Sequence, residues 1–206
     1  MTIGKKPQEA RELSRCSWCG DDELYMQYHD EEWGRPLFDD QKLFEFLILE
    51  GAQAGLSWIT VLRKRENYRE AFDDFDPSKI AKYNKRKISQ LLDNEGIIRN
   101  KLKINSAINN AQRYIEIQSG DSVSDQASFS DYLWQFVNGE TIQNRFSAHS
   151  DVPATSNISN VMAKTLKKNG FNFVGSTICY AFMQATGMVN DHLLSCYCHL
   201  ECAEKS

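Results

Sequence analysis

The chain has 206 residues, 41% of them hydrophobic and 25% charged, with 24 basic against 28 acidic side chains and a net charge of −4. That is enough chain to bury a sizeable core, in the balance of an ordinary soluble globular protein. It carries no global basic signature of a nucleic-acid binder, and no apolar run approaches the ~20 residues that span a bilayer.

Where the cations lie matters more than their sum. They come in groups: Arg63/Lys64/Arg65, Lys85/Arg86/Lys87, Arg99/Lys101/Lys103 and Lys164/Lys167/Lys168. Acids concentrate elsewhere, at Asp21-Asp22-Glu23, Asp30-Glu31-Glu32 and Asp73/Asp74/Asp76. One basic face is consistent with this pattern, and so is a set of solvated helix faces.

In chain order, residues 1–14 are polar and mixed in charge, unlike a signal peptide. They are expected to be a flexible extension ahead of a single all-α domain over 15–206, in a cytoplasmic protein. Leu43, Phe44, Leu47 and Ile48 repeat at helical spacing, so a helix arrives with an apolar face. That helix ends in Glu50-Gly51-Ala52-Gln53-Ala54-Gly55-Leu56-Ser57-Trp58. A carboxylate at the end of an apolar run is expensive to bury. Beside it stand small residues that permit close approach, an apolar tip at Leu56 and an aromatic face at Trp58. A second helix starts near Ser57 and runs into the Arg63–Arg65 cations. These are parts for holding a flat, nitrogen-rich ligand beside a polyanion; a tight helix corner whose Glu50 caps a backbone uses the same residues.

Asp76-Pro77-Ser78 starts another helix. Ile97, Ile98, Ile104, Ile108, Ala111 and Ile115 mark a long helix within 97–115. Tyr132, Leu133, Phe136 and Val137 fit a helix ending near Asn138-Gly139, and residues 139–157 read as a loop. Ile158 to Leu166 fit a helix ending at Asn169-Gly170. Gly175-Ser176-Thr177 then opens the next one. Free amides and the positive dipole end at that start suit a phosphate oxygen, so the pair looks like a helix-hairpin-helix grip on a DNA backbone.

Six cysteines without a secretion signal argue against a disulfide framework. Cys179 sits in an apolar run and reads as core. The others lie at the two ends of the chain. His192 and Cys196, at i and i+4, can share one helix face, and Cys16 precedes His29 by thirteen positions. Two sulfurs and two imidazoles are a tetrahedral zinc set, with Cys19, Cys198, His199 and Cys202 as competing ligands and unliganded thiols as the plain alternative.

Together these segments resemble the bacterial type I DNA-3-methyladenine glycosylases. The resemblance is carried by Arg15-Cys16-x-Trp18, Tyr28-His29-Asp30-x-Glu32-Trp33-Gly34, Leu49-Glu50-Gly51-x-Gln53-Ala54-Gly55-Leu56-Ser57-Trp58, Lys64-Arg65-Glu66-Asn67-Tyr68, Phe173-Val174-Gly175-x-Thr177 and Val189-Asn190-Asp191-His192. It runs from about residue 15 to about 198. It implies an all-helical helix-hairpin-helix glycosylase fold and a structural zinc ion on Cys16, His29, His192 and Cys196. It also implies a flipped base in double-stranded alkylated DNA held by Glu50, with Tyr28 and Trp58 as aromatic walls and Trp18, Trp33 and Gln53 nearby. Gly55 and Leu56 match the tip that enters the duplex, and Gly175, Ser176 and Thr177 the backbone grip. Many hairpin glycosylases carry an aspartate where this chain has Asn190, a departure shared by the type I family. Glu50 is therefore expected to be the decisive carboxylate, with Asp191 orienting His192. No membrane partner is expected, since no apolar run is long enough to span one, and a monomer is expected. A non-catalytic zinc-stapled DNA-binding module is the rival reading, and excision of 3-methylguanine or other alkylated purines remains open alongside 3-methyladenine.

Overall fold

The structure, a computed structural model, describes residues 14–119 and 128–204. The expected extension therefore lies outside the described residues except for Ser14, whose carbonyl accepts a hydrogen bond from Tyr197 N at 3.0 Å.

Eleven α-helices are found among the described residues. The first, α1 (Glu23–Glu31), starts where Asp22 accepts from Tyr25 N. The second, α2 (Asp40–Gln53), is capped by Asp39 and buries every residue from Leu43 to Ala52. A helix buried on all sides belongs in the middle of a core, and α2 packs against α3 (Trp58–Leu62), α7 (Lys101–Gln118), α8 (Phe129–Trp134) and α10 (Ser176–Ala185). Between these lie α4 (Arg65–Ala71), α5 (Pro77–Ile80) and α6 (Lys85–Asp93). As expected, α5 has Pro77 in its first turn and Asp76 as its cap. The chain closes with α9 (Asn157–Lys168), paired against α10, and α11 (Tyr197–Glu204).

The sequence expectation differs from this in three places. The long helix begins at Lys101, not near 97, because the Asn100 side chain accepts from Leu102 N and Lys103 N and so fixes the start. Ile97 is buried in the turn before it, and Ile115 is partly exposed instead of facing the core. The helix through Phe136 is an α segment over Phe129–Trp134 followed by a 3-10 turn over Gln135–Val137. Finally, the 139–157 loop contributes a strand: Ile142–Gln143 pairs in parallel with Val189–Asn190. Two residues per strand are too short to leave an alternating pattern in sequence. That ladder ties the loop to the segment leading into His192.

Candidate functional site

Glu50 lies on the last turn of α2, 3% exposed, and its Oε2 has no hydrogen-bond partner among the described residues. A backbone cap would have supplied one. Burial alone pushes the carboxyl up to about 8, since no cation offsets the loss of water. The group faces a cavity of about 300 Å³. Its walls include Trp18, Tyr28, Trp33, Gln53 and Trp58, so all six residues expected around a flat ligand are brought together.

Two further wall atoms are orphaned. The indole nitrogens Trp18 Nε1 and Trp58 Nε1 are buried without an acceptor. Buried polar groups are normally satisfied, so three such atoms on one cavity mark a place shaped for an absent polar molecule. The faces are aromatic: the Tyr28 and Trp58 rings are 5.4 Å apart, and Trp18 and Trp33 meet edge-on at 4.9 Å.

Several wall residues had no separate signal in sequence. Tyr25 follows from helix geometry, standing one turn before Tyr28 on α1. His149 and Val152 come from the loop, Ala181 and Gln184 from α10. Asp191 was expected to orient His192 and does not. Its carboxylate lines the cavity and accepts from Tyr180 Oη at 2.7 Å, Gln184 Nε2 at 2.8 Å and Asn144 Nδ2 at 2.6 Å. His192 is aligned instead by the Trp33 carbonyl, 2.9 Å from Nε2.

Behind the Trp18–Trp33 wall sit Cys16, His29, His192 and Cys196, all buried, with one ligand atom each within 4.8 Å of the others. Cys16 Sγ is 3.7 Å and Cys196 Sγ 3.6 Å from His192 Nδ1, and Cys196 Sγ is 3.5 Å from His29 Nε2. Zinc–sulfur and zinc–nitrogen bonds of about 2.3 and 2.0–2.1 Å at tetrahedral angles place neighbouring ligand atoms about 3.5 Å apart. The residues therefore fit that ion. The outer atoms agree: His29 Nδ1 is 2.8 Å from Asp30 Oδ1, and Arg15 grips the same carboxylate. Such partners fix which ring nitrogen faces inward. The approach is close, for a Cβ on Gly34 would come within 2.9 Å of His192 Cδ2.

Gly55 and Leu56 stand between the wall residues Gln53 and Trp58, in an exposed turn with Leu56 43% exposed. Gly175 caps α10 without a side-chain bond, leaving the amides of Ser176 and Thr177 open to an outside acceptor. The Arg63–Arg65 flank is not a free basic surface. Arg65 is buried and paired with Glu45 and Glu32, and Arg63 pairs with Asp22.

The profile of the methyladenine glycosylase family matches residues 18–199. The chain belongs to this family. Its relatives include the DNA-3-methyladenine glycosylase of Haemophilus influenzae, 49% identical over 90% of this chain and 97% of that protein. DNA-3-methyladenine glycosylase 1 of Escherichia coli is 47% identical over 91% and 97%. Among solved structures, a crystal structure of 3-methyladenine DNA glycosylase I superposes with a TM-score of 0.86 at 48% identity, covering 90% of this chain and all of that one. The enzyme from Staphylococcus aureus, described for its recognition of 3-methyladenine, gives 0.84 at 36% identity, over 90% and 96%. The match to these relatives thus runs over nearly the full length of both partners.

Proposed function

We propose that this chain is a monofunctional DNA glycosylase that takes 3-methyladenine out of alkylated double-stranded DNA and hydrolyses its bond to the sugar. The observation that carries this reading is the buried, unpartnered Glu50 carboxyl among aromatic faces, next to an exposed apolar tip. Relatives named for this activity at close to half identity over nearly the whole chain support it.

Alkylation at N3 makes adenine cationic in the nucleotide and weakens the glycosidic bond, so the leaving group arrives activated. Tyr28 and Trp58 favour an electron-poor ring by stacking and cation–π attraction. Beside the cationic base Glu50 ionises and accepts from the exocyclic amine of adenine; a 6-oxo purine would present an acceptor there, a mismatch worth roughly 1–3 kcal/mol. Gln53, Trp18 and Trp33 complete the enclosure, and the free indole N–H groups suit ring nitrogens that accept. Flipping the base costs a few kcal/mol of stacking, which Leu56 offsets by filling the gap while Gly55 lets the turn approach. Water adds to the anomeric carbon, the N–C bond breaks with its electron pair leaving on the base, and the proton is released. Asp191, held by three donors on the same cavity, is placed to favour the positive charge that develops on the sugar.

We read α9, its turn and α10 as the helix-hairpin-helix that holds the DNA backbone on the amides and hydroxyls following Gly175, at Ser176 and Thr177. Zinc on Cys16, His29, His192 and Cys196 is structural: four protein ligands leave no open position for water. The ion would brace the aromatic wall from behind. Six cysteines without the spacing of a disulfide framework suit a reducing, cytoplasmic setting, and a monomer suffices because this one chain supplies the walls of the cavity.

Titration with free 3-methyladenine tests this reading. Binding should quench tryptophan emission in the wild type, with adenine binding more weakly and Trp58→Ala losing the signal. Folded protein that binds duplex DNA but neither the free base nor any alkylated purine would make it a DNA-binding module instead.

A further inference from the structure

Helix α7 touches both elements assigned to DNA, at two points on one face. Near its start, Lys103 Nζ donates to Ala52 O at 2.7 Å and to Ala54 O at 2.8 Å. These carbonyls lie where α2 ends, and the last carbonyls of a helix have no partner within it. A cation there also opposes the negative end of the helix dipole. Burial lowers the Lys103 pKa, so the two carbonyls are what holds its ammonium in place. The end of α2 that Lys103 grips carries Glu50 and Gln53 and leads directly into the tip.

Seven residues on, Asn110 is buried and grips the turn between α9 and α10 in both directions. Its Nδ2 donates to Asn172 O at 3.0 Å, and its Oδ1 accepts from Asn172 N at 2.8 Å. Asn109 adds a donation to Gly170 O at 2.7 Å. Positions seven apart share a helix face and lie about 10 Å apart along the axis. The two gripped segments also abut: a Cβ on Gly51 would come within 3.2 Å of the Phe173 Cβ.

We infer that α7 is the spacer that sets the tip against the backbone-holding turn, and that Lys103 is a positioning residue for the tip in duplex DNA. It touches neither the cavity nor the reacting atoms. The inference rests on the tip reading given above: Leu56 fills the duplex only if its turn stands at a fixed height relative to the backbone grip. Losing a charged hydrogen-bonding group at the end of α2 loosens that height and leaves the walls around Glu50 in place.

The test compares wild type with Lys103→Met, Lys103→Arg and Leu56→Ala in two assays. One is single-turnover release of 3-methyladenine from methylated duplex DNA; the other is affinity for the free base. Lys103→Met is expected to slow release about tenfold, the worth of a charge-assisted hydrogen bond, with base affinity within about twofold of wild type. Lys103→Arg should restore most of the release, and Lys103→Met combined with Leu56→Ala should be no slower than the worse single variant. If Leu56→Ala slows release but Lys103→Met does not, the spacer inference is wrong and the tip reading stands. If Lys103→Met weakens free-base binding as much as release, Lys103 supports the cavity and the inference is again wrong. If Leu56→Ala leaves release unchanged, the tip reading itself fails and takes the inference with it.

Discussion

At the scale of single residues, Glu50 decides most. Its type and place at the end of an apolar run were enough to single it out, because an acid there is either paired or functional. What sequence could not supply was the missing partner at Oε2 or the two orphaned indoles, which depend on how α1, α2 and α3 meet. A carboxyl raised to about 8 from an ordinary value near 4.5 stabilises the fold when protonated. That contribution is complete below about pH 4.5 and is lost as pH rises through about 8. Thermal melts of ligand-free wild type and Glu50→Gln should therefore diverge in favour of the glutamine variant between about pH 5 and 8, then run parallel. A constant difference across that range would mean the carboxyl titrates normally. Asp191 shows the opposite lesson. Its neighbour in sequence, His192, suggested a partner that tertiary structure does not provide; Tyr180 and Gln184 come from α10 and Asn144 from the loop after the Ile142–Gln143 strand.

Among the elements, long periodic helices with caps were the most legible. Asp76-Pro77 and Gly175-Ser176 start helices where the sequence signals put them. The strand pair was not legible, and neither was the pairing of Arg63 and Arg65, whose charge pattern alone reads as a basic flank. Arg65 is drawn inward by Glu45 on α2 and Glu32 after α1. Gly34 links two elements directly, with φ +76 and no room for a Cβ against His192. Gly34→Ala should displace that imidazole and the Trp33 carbonyl that aligns it, weakening zinc affinity about tenfold in a chelator competition. Unchanged affinity would place the metal elsewhere.

Across the whole molecule, the ends of the chain meet. Ser14 bonds to α11, and Cys16 faces His192 across 176 positions of sequence. Spacing alone left several thiols in competition for a metal, and the three-dimensional meeting of the ends brings Cys16, His29, His192 and Cys196 within 4.8 Å of one another, with His29, Asp30 and Cys198 as a second, smaller group. An ion there closes nearly the entire described chain into a loop, a constraint worth about 5 kcal/mol by analogy with a long disulfide loop. Removing zinc should lower the melting temperature by about 10 °C and perturb tryptophan emission, because Trp33 packs against His192 with ring centres 4.7 Å apart. A chelated protein with an unchanged melt would leave the four residues as reduced thiols and imidazoles. The measurement closest to the central claim is the identity of the bases released from methylated duplex DNA by the zinc-loaded chain, with Glu50→Gln beside it. Wild type is expected to free 3-methyladenine and leave an abasic site, and the folded Glu50→Gln variant to do so at least tenfold more slowly. Equal release by both proteins would remove Glu50 from recognition, and no release by a folded, DNA-binding wild type would contradict the glycosylase account.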